Sequence, residues 1–131
     1  KFDFQIEVDP QIDYNVSLPP MLVQPHVENA ILHGLKPKRE KGHLLIRFAL
    51  LDEKLHITVE DNGIGREAAR QRGQRQDHRS RATQINKDRI DLLRRSMGRQ
   101  VHLHVEDLYN RGQPSGTRVL LELPTDGLQD E

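Results

Sequence analysis

A chain of 131 residues has room for one domain and one core, and 34% apolar against 31% charged residues predict a thin core under a busy surface. Twenty basic and twenty acidic side chains cancel, which argues against a general nucleic-acid binder, and the lack of cysteine excludes disulfides and thiolate metal sites. No apolar run approaches the roughly 18 residues needed to span a bilayer, and no secretory leader is visible.

Aromatic residues are scarce at 4%, so aliphatic side chains must pack the core. The chain starts at Lys1 and enters a strand pattern at once, as a fragment of a longer protein would. Phe2, Phe4, Ile6 and Val8 alternate with polar residues, the period of a half-buried strand, and Pro10 ends it. From Pro19 to His33 the period becomes helical: Leu22, Val23, Val27, Ala30 and Ile31 share a face, and Gly34 suits the exit. Pro25 inside this stretch predicts a kink or a short turn ahead of the main helix.

A polar loop over 35–42 precedes strands at 43–50 and at Leu55–Val59, with Asp52-Glu53 as the hairpin turn between them. The loop Asp61–Gly65 follows, and Arg66–Arg72 fits a short helix. Residues 73–83 are polar and aperiodic, the mark of a mobile loop. A helix is predicted over 84–97, with Ile90, Leu93 and Met97 on one face and Gly98 as its stop. Val101, Leu103 and Val105 mark a strand. A turn through Asn110–Gly116 leads to a last strand, Thr117–Leu123, ended by Pro124. The order predicts an α+β two-layer sandwich in residues 1–124, with a mixed, mostly antiparallel sheet covered by helices on one face and a frayed tail at 125–131.

Two short segments carry the chemistry. Asp61 ends a strand, and Gly63 and Gly65 follow at alternate positions, where glycine permits positive φ and close approach of a ligand to the backbone. A carboxylate there can accept a hydrogen bond from an exocyclic amine such as N6 of adenine, although Asp-Asn-Gly also reads as a plain turn. Asn29 and His33 lie four apart on one helical face. An amide oxygen such as that of Asn29 is a neutral hard ligand suited to Mg²⁺ that keeps waters and phosphate oxygens.

Val27-Glu28-Asn29-Ala30-Ile31-Leu32-His33-Gly34 resembles the N box of the Bergerat-fold (GHKL) ATPases, and Asp61-Asn62-Gly63-Ile64-Gly65 resembles their G1 box. That superfamily includes gyrase B, Hsp90, MutL and the sensor histidine kinases. Gln24-Pro25 is similar to the LytS and YehU type of sensor kinase, and Ser115-Gly116-Thr117 to the Gly-Thr segment late in kinase catalytic domains.

The resemblance runs from about Phe4 to Pro124 and implies a catalytic domain that binds ATP and Mg²⁺. Asn29 would ligate the metal, Asp61 would bind the adenine amine, and Gly63 and Gly65 would let the loop close over the base. Thr117 would support the adenine side, and His33 would stand near the phosphates. The γ-phosphoryl group would pass to a His on a dimerisation segment that this chain lacks, and then to a response regulator. The chain would be the cytoplasmic part of a membrane-anchored bacterial sensor, unable by itself to autophosphorylate.

The departures from the pattern carry information too. Superfamily members that hydrolyse ATP place a general-base Glu one helical turn before the metal-binding Asn; Pro25 stands there and cannot take a proton. Glu28 lies about 100° round the helix from Asn29, so it either orients a water on the metal or faces solvent. Leu32 replaces a phosphate-contacting Lys of many kinases, and Ser80 and Ala82 replace two glycines of the G2 box. These replacements raise the alternative of a degenerate nucleotide-binding or partner-binding module without kinase activity.

Between Arg66 and Arg99 eleven basic residues stand against four acidic ones, for most of them a solvated basic face, and the part from Arg66 to Arg81 coincides with the lid that the resemblance implies over the nucleotide. Arg79, Arg81 and Arg89 are the candidate phosphate contacts, and Ser80 could cap a helix whose amides favour phosphate. His26, His43, His56, His78, His102 and His104 read as ordinary surface residues without metal-ligand spacing.

Overall fold

The computed structural model describes residues 2–12, 22–73 and 101–124. The predicted helix over 84–97, the loop from 74 to 83, Pro19-Pro20 and the tail after Pro124 lie outside them, as do Arg79, Ser80, Arg81, Ala82, Arg89 and His78.

Five strands form one sheet in the order β1-β2-β3-β5-β4: β1 (Phe2–Val8), β2 (Gly42–Leu51), β3 (Lys54–Asp61), β4 (His102–Asn110) and β5 (Gln113–Pro124). β1 runs parallel to β2 and every other pairing is antiparallel, which is the mixed sheet expected. Strand alternation sorts the side chains into two faces. Leu44, Ile46, Leu55, Ile57, Val59, Val119, Leu121 and Leu123 line one face, where two apolar clusters form around Leu22, Val101, Ala30 and Leu35. The other face carries an ionic lattice: Glu7 with Arg47, Glu122 with Lys54 and His56, and Arg118 between Glu60 and Glu106.

The first helix starts at Gln24, and Pro25 falls in its opening turn. There the missing N–H has no intrahelical partner to lose, so Pro25 suits this first turn and does not break the helix. α1 (Gln24–Asn29) continues into a π-helical segment, Ala30–Leu35, closed by the Lys36 amide on the Ile31 carbonyl at 2.8 Å. Single π turns are rare and concentrate at functional sites. Gly34 lies within this segment rather than beyond its end, for a reason that Asp61 supplies.

The alternating apolar row of β1 is less buried than its period predicts: Phe4 is 67% and Ile6 56% exposed. β1 is the edge strand, and the π segment packs over β2, β3 and β5 instead. The second hairpin is tighter than expected. β4 and β5 extend to Asn110 and Gln113, and the turn is only Arg111-Gly112, both with positive φ. Ser115-Gly116 therefore belongs to a strand, not a turn.

The β2–β3 turn is also of the two-residue kind, with φ of 53° at Asp52 and 61° at Glu53. Asp52 tolerates that backbone but Glu53 does not, whereas Asn-Gly suits both positions of such a turn. Replacing Asp52-Glu53 by Asn-Gly is expected to stabilise the domain by about 1 kcal/mol, read as a rise of a few degrees in thermal midpoint.

Candidate functional site

Three backbones converge at the end of β3. Asp61 is its last residue and is 4% exposed. A Cβ on Gly34 would stand 2.7 Å from Asp61 Oδ1. One on Gly63 would overlap the Gly34 carbonyl, and one on Gly116 would overlap the Asp61 carbonyl oxygen. Three glycines from three elements thus let the π segment, the loop after β3 and β5 close on the end of β3, with Gly34 against the Asp61 carboxylate. This explains Gly34 within the helix: it makes room for Asp61.

The loop Asn62–Gly65 is stitched at several points. The Gly63 amide donates to Asp61 Oδ1 at 2.8 Å, and the Ile64 amide to the Gly34 carbonyl at 3.0 Å. Asn62 pairs with His43 twice: its amide donates to the His43 carbonyl at 3.2 Å, and its Oδ1 accepts from the His43 amide at 2.6 Å. Lys38 Nζ donates to the Asn62 carbonyl at 2.7 Å. Gly65 takes φ of 89° and its carbonyl accepts the Ala69 amide, opening α2 (Arg66–Gly73). Arg66 then grips Asp107 of β4 with Nε and a terminal nitrogen at 2.7 and 2.9 Å, which holds the Asp107 carboxyl below its ordinary range.

Burial is what most perturbs Asp61, raising its pKa from 3.8 to about 6. The Gly63 amide opposes the rise, Glu60 adds to it, and Lys38 and the Thr117 amide oppose it. Thr117 pairs with Asp61 across β3 and β5, so both side chains rise from the same face. Asp61, Gly63 and Thr117 are thereby brought together.

Asn29 is half-buried at the last position of α1, where the helix widens. His33 is half-buried on the π segment one turn on. Glu28 is exposed and accepts a hydrogen bond from Gln24 Nε2 at 3.2 Å, on the solvent side of the helix. Pro25 is buried.

Among the other histidines, His26 departs from the surface reading. It is 8% exposed, and burial lowers its pKa, so it is a neutral core residue. His43, His102 and His104 are exposed, and His56 is half-buried beside Glu122. Among the described residues no group of three or more His, Cys, Asp or Glu could hold a metal ion. Lys38 is the pocket residue that motif reading missed, since its loop has no period. Only its place four residues after Gly34, at the N-box end, could have drawn notice.

The architecture is that of histidine kinase catalytic domains. The histidine kinase domain of the blue-light activated kinase EL346 from Erythrobacter litoralis superposes with a TM-score of 0.62 over 97% of this chain and 56% of that one, at 22% identity. In sequence, the chain is 32% identical over 124 residues to the sensor histidine kinase YpdA of Escherichia coli (strain K12), covering 90% of this chain and 19% of that protein. It is 37% identical over 68 residues to the sensor protein LytS of Oceanobacillus iheyensis, covering 50% of this chain and 12% of that protein.

No family model matches. The chain thus has the Bergerat fold of a histidine kinase catalytic domain, and its relatives are sensor histidine kinases of the LytS and YpdA type. It spans about a fifth or less of those relatives' length.

Proposed function

We propose that the chain binds Mg-ATP and forms the catalytic domain of a two-component sensor kinase. The observation that carries this reading is the buried Asp61 carboxylate, against which Gly34 packs without a side chain and to which the Gly63 amide donates. With Oδ1 engaged by the Gly63 amide, Oδ2 can accept the exocyclic amine of adenine, and Thr117 stands beside it on the same sheet face. Guanine presents a carbonyl at that position and would meet a carboxylate with no proton to share.

The donor set suits Mg²⁺ with one protein ligand. The described residues provide no all-protein cage, and the Asn29 amide oxygen is a hard ligand that leaves the remaining positions to water and phosphate. Bound Mg²⁺ would neutralise charge developing between the β- and γ-phosphates. Asn29 and His33 would face that end of the nucleotide, and Ser80, Arg79, Arg81 and Arg89, outside the described residues, are the further candidates for phosphate contact. In the transfer, a His nitrogen of the dimerisation segment would bond the γ-phosphorus as its bond to the β,γ-bridging oxygen breaks and ADP leaves. The phosphoryl group would then pass to an Asp of a response regulator.

Glu28 faces solvent and Pro25 carries no base, so neither would prepare water to intercept the phosphoryl group. Positioning would supply most of the rate. The rest of the protein would hold the dimerisation segment and the membrane anchor; no helix among the described residues is long and apolar enough to cross a membrane.

Leu32 favours a second reading. It is 51% exposed on the π segment, where many kinases place a phosphate-binding Lys, so a module that holds nucleotide without transferring it is the alternative. Calorimetric titration with ATP, with and without Mg²⁺, tests the proposal. Binding should tighten on adding Mg²⁺, and Asn29→Ala should remove that enhancement while Mg-free binding persists. No heat of binding at millimolar ATP would sink the proposal.

A further inference from the structure

We propose that Lys38 is a positioning residue of this pocket, clamping the loop after β3 and supplying the positive charge that faces the Asp61 carboxylate. The inference rests on the nucleotide-binding reading of Asp61. Lys38 reaches the loop from the exit of the π segment, where its own amide is tied to the Leu35 carbonyl at 3.0 Å. Its half-buried ammonium ends 2.7 Å from the Asn62 carbonyl, one residue beyond Asp61. The side chain therefore bridges the two motifs that build the pocket. A short-range hydrogen bond fixes the loop, and the charge acts over a longer distance on a carboxylate withdrawn from water.

The other charged groups around Asp61 do not duplicate this. Glu60, its neighbour on β3, points to the opposite sheet face and is paired with Arg118, as is Glu106 of β4. Arg118 of β5 is thus spent on that face. His43 of β2 alternates away from Asp61 and lies near Asp3. His33 on the π segment is half-buried. The positive charge of Lys38 favours the charged form of Asp61. An ionised Asp61 accepts an adenine amine more strongly than a protonated one, so Lys38 sets how far toward acid the pocket keeps its full affinity.

Three variants separate clamp from charge. Lys38→Gln retains a donor for the Asn62 carbonyl and loses the charge; Lys38→Arg keeps both; Lys38→Met loses both. ATP affinity is measured by calorimetry from pH 5.5 to 8.5, and the Asp61 carboxyl is followed by carbon NMR without nucleotide. In Lys38→Gln the Asp61 titration should move to higher pH, and the loss of affinity between pH 8.5 and 6.5 should grow about threefold or more. Lys38→Arg should restore the parent profile. Lys38→Met should add a loss of affinity at every pH.

A merely structural role would weaken binding equally across the range and leave the carboxyl titration in place. An unmoved Asp61 titration in Lys38→Gln and Lys38→Met overturns the inference. A moved titration in a protein that binds no ATP at any pH upholds the effect on Asp61 and overturns the nucleotide reading instead.

Discussion

Asp61→Asn is expected to melt a few degrees above the parent at pH 7.5 without nucleotide, and to bind ATP at least about tenfold more weakly. Both effects come from one buried group. The carboxyl has a pKa near 3.8 in an unfolded chain and about 6 in the fold, and burial is the main cause. A pKa raised by folding means that the native state holds the proton more tightly. The resulting stabilisation is complete below about pH 4 and is lost as pH rises through about 6, amounting to about 3 kcal/mol.

At pH 7.5 the parent therefore carries a desolvated charge that Asn does not. An Asn amide can still accept from the Gly63 N–H, but that orientation turns its NH₂ to where the adenine amine would lie, donor against donor. Stability and affinity should move in opposite directions, as they do where a site holds a group against its solvation preference. Thermal melts and titrations at two pH values check this. If Asp61→Asn binds ATP like the parent, that carboxylate does not read the base.

Gly116→Ala should be the most damaging single methyl in the described chain, costing about 3 kcal/mol or more. Gly116 has φ of 133°, a conformation side chains avoid, and a Cβ there would overlap the Asp61 carbonyl oxygen and crowd Asn62 Cα at 2.8 Å. Backbone on both sides cannot yield without opening the β3–β5 pairing at Asp61–Thr117. Gly112→Ala is the control. It also has positive φ, at 79°, but nothing lies within 4 Å, so it should cost only about 1 kcal/mol. Chemical denaturation of the two variants compares them. Equal losses would mean that backbone strain alone, and not the packing of β5 on Asp61, makes Gly116 necessary.

The strands were legible because apolar residues alternate in them with turn residues between: β2, β3 and β5 follow the predicted spans within a few residues. The Asn110–Gly116 turn was drawn too long, because Gly116 looks like a turn residue when its only visible property is the missing side chain. Pro25 left a kink and a short turn open. Proline breaks a helix interior and suits a first turn, and residue type alone does not say which applies. The π turn over Ala30–Leu35 leaves no period to read, and His26 is buried although its residue type usually stands at the surface.

By itself the sequence determined the class of fold and pointed to two segments as the candidate site. Alternation and helical period are local, and the Glu28-Asn29-Ala30 and Asp61–Gly65 segments are contiguous. Only the tertiary structure decided how those segments act on one another. It placed Gly34, Gly63 and Gly116 at the end of β3 and stripped the Asp61 carboxylate of water. It also carried Lys38 across 24 positions to the carbonyl beside Asp61. Each of these depends on distances between residues far apart in the chain, and desolvation and charge act through space, where sequence order has no say.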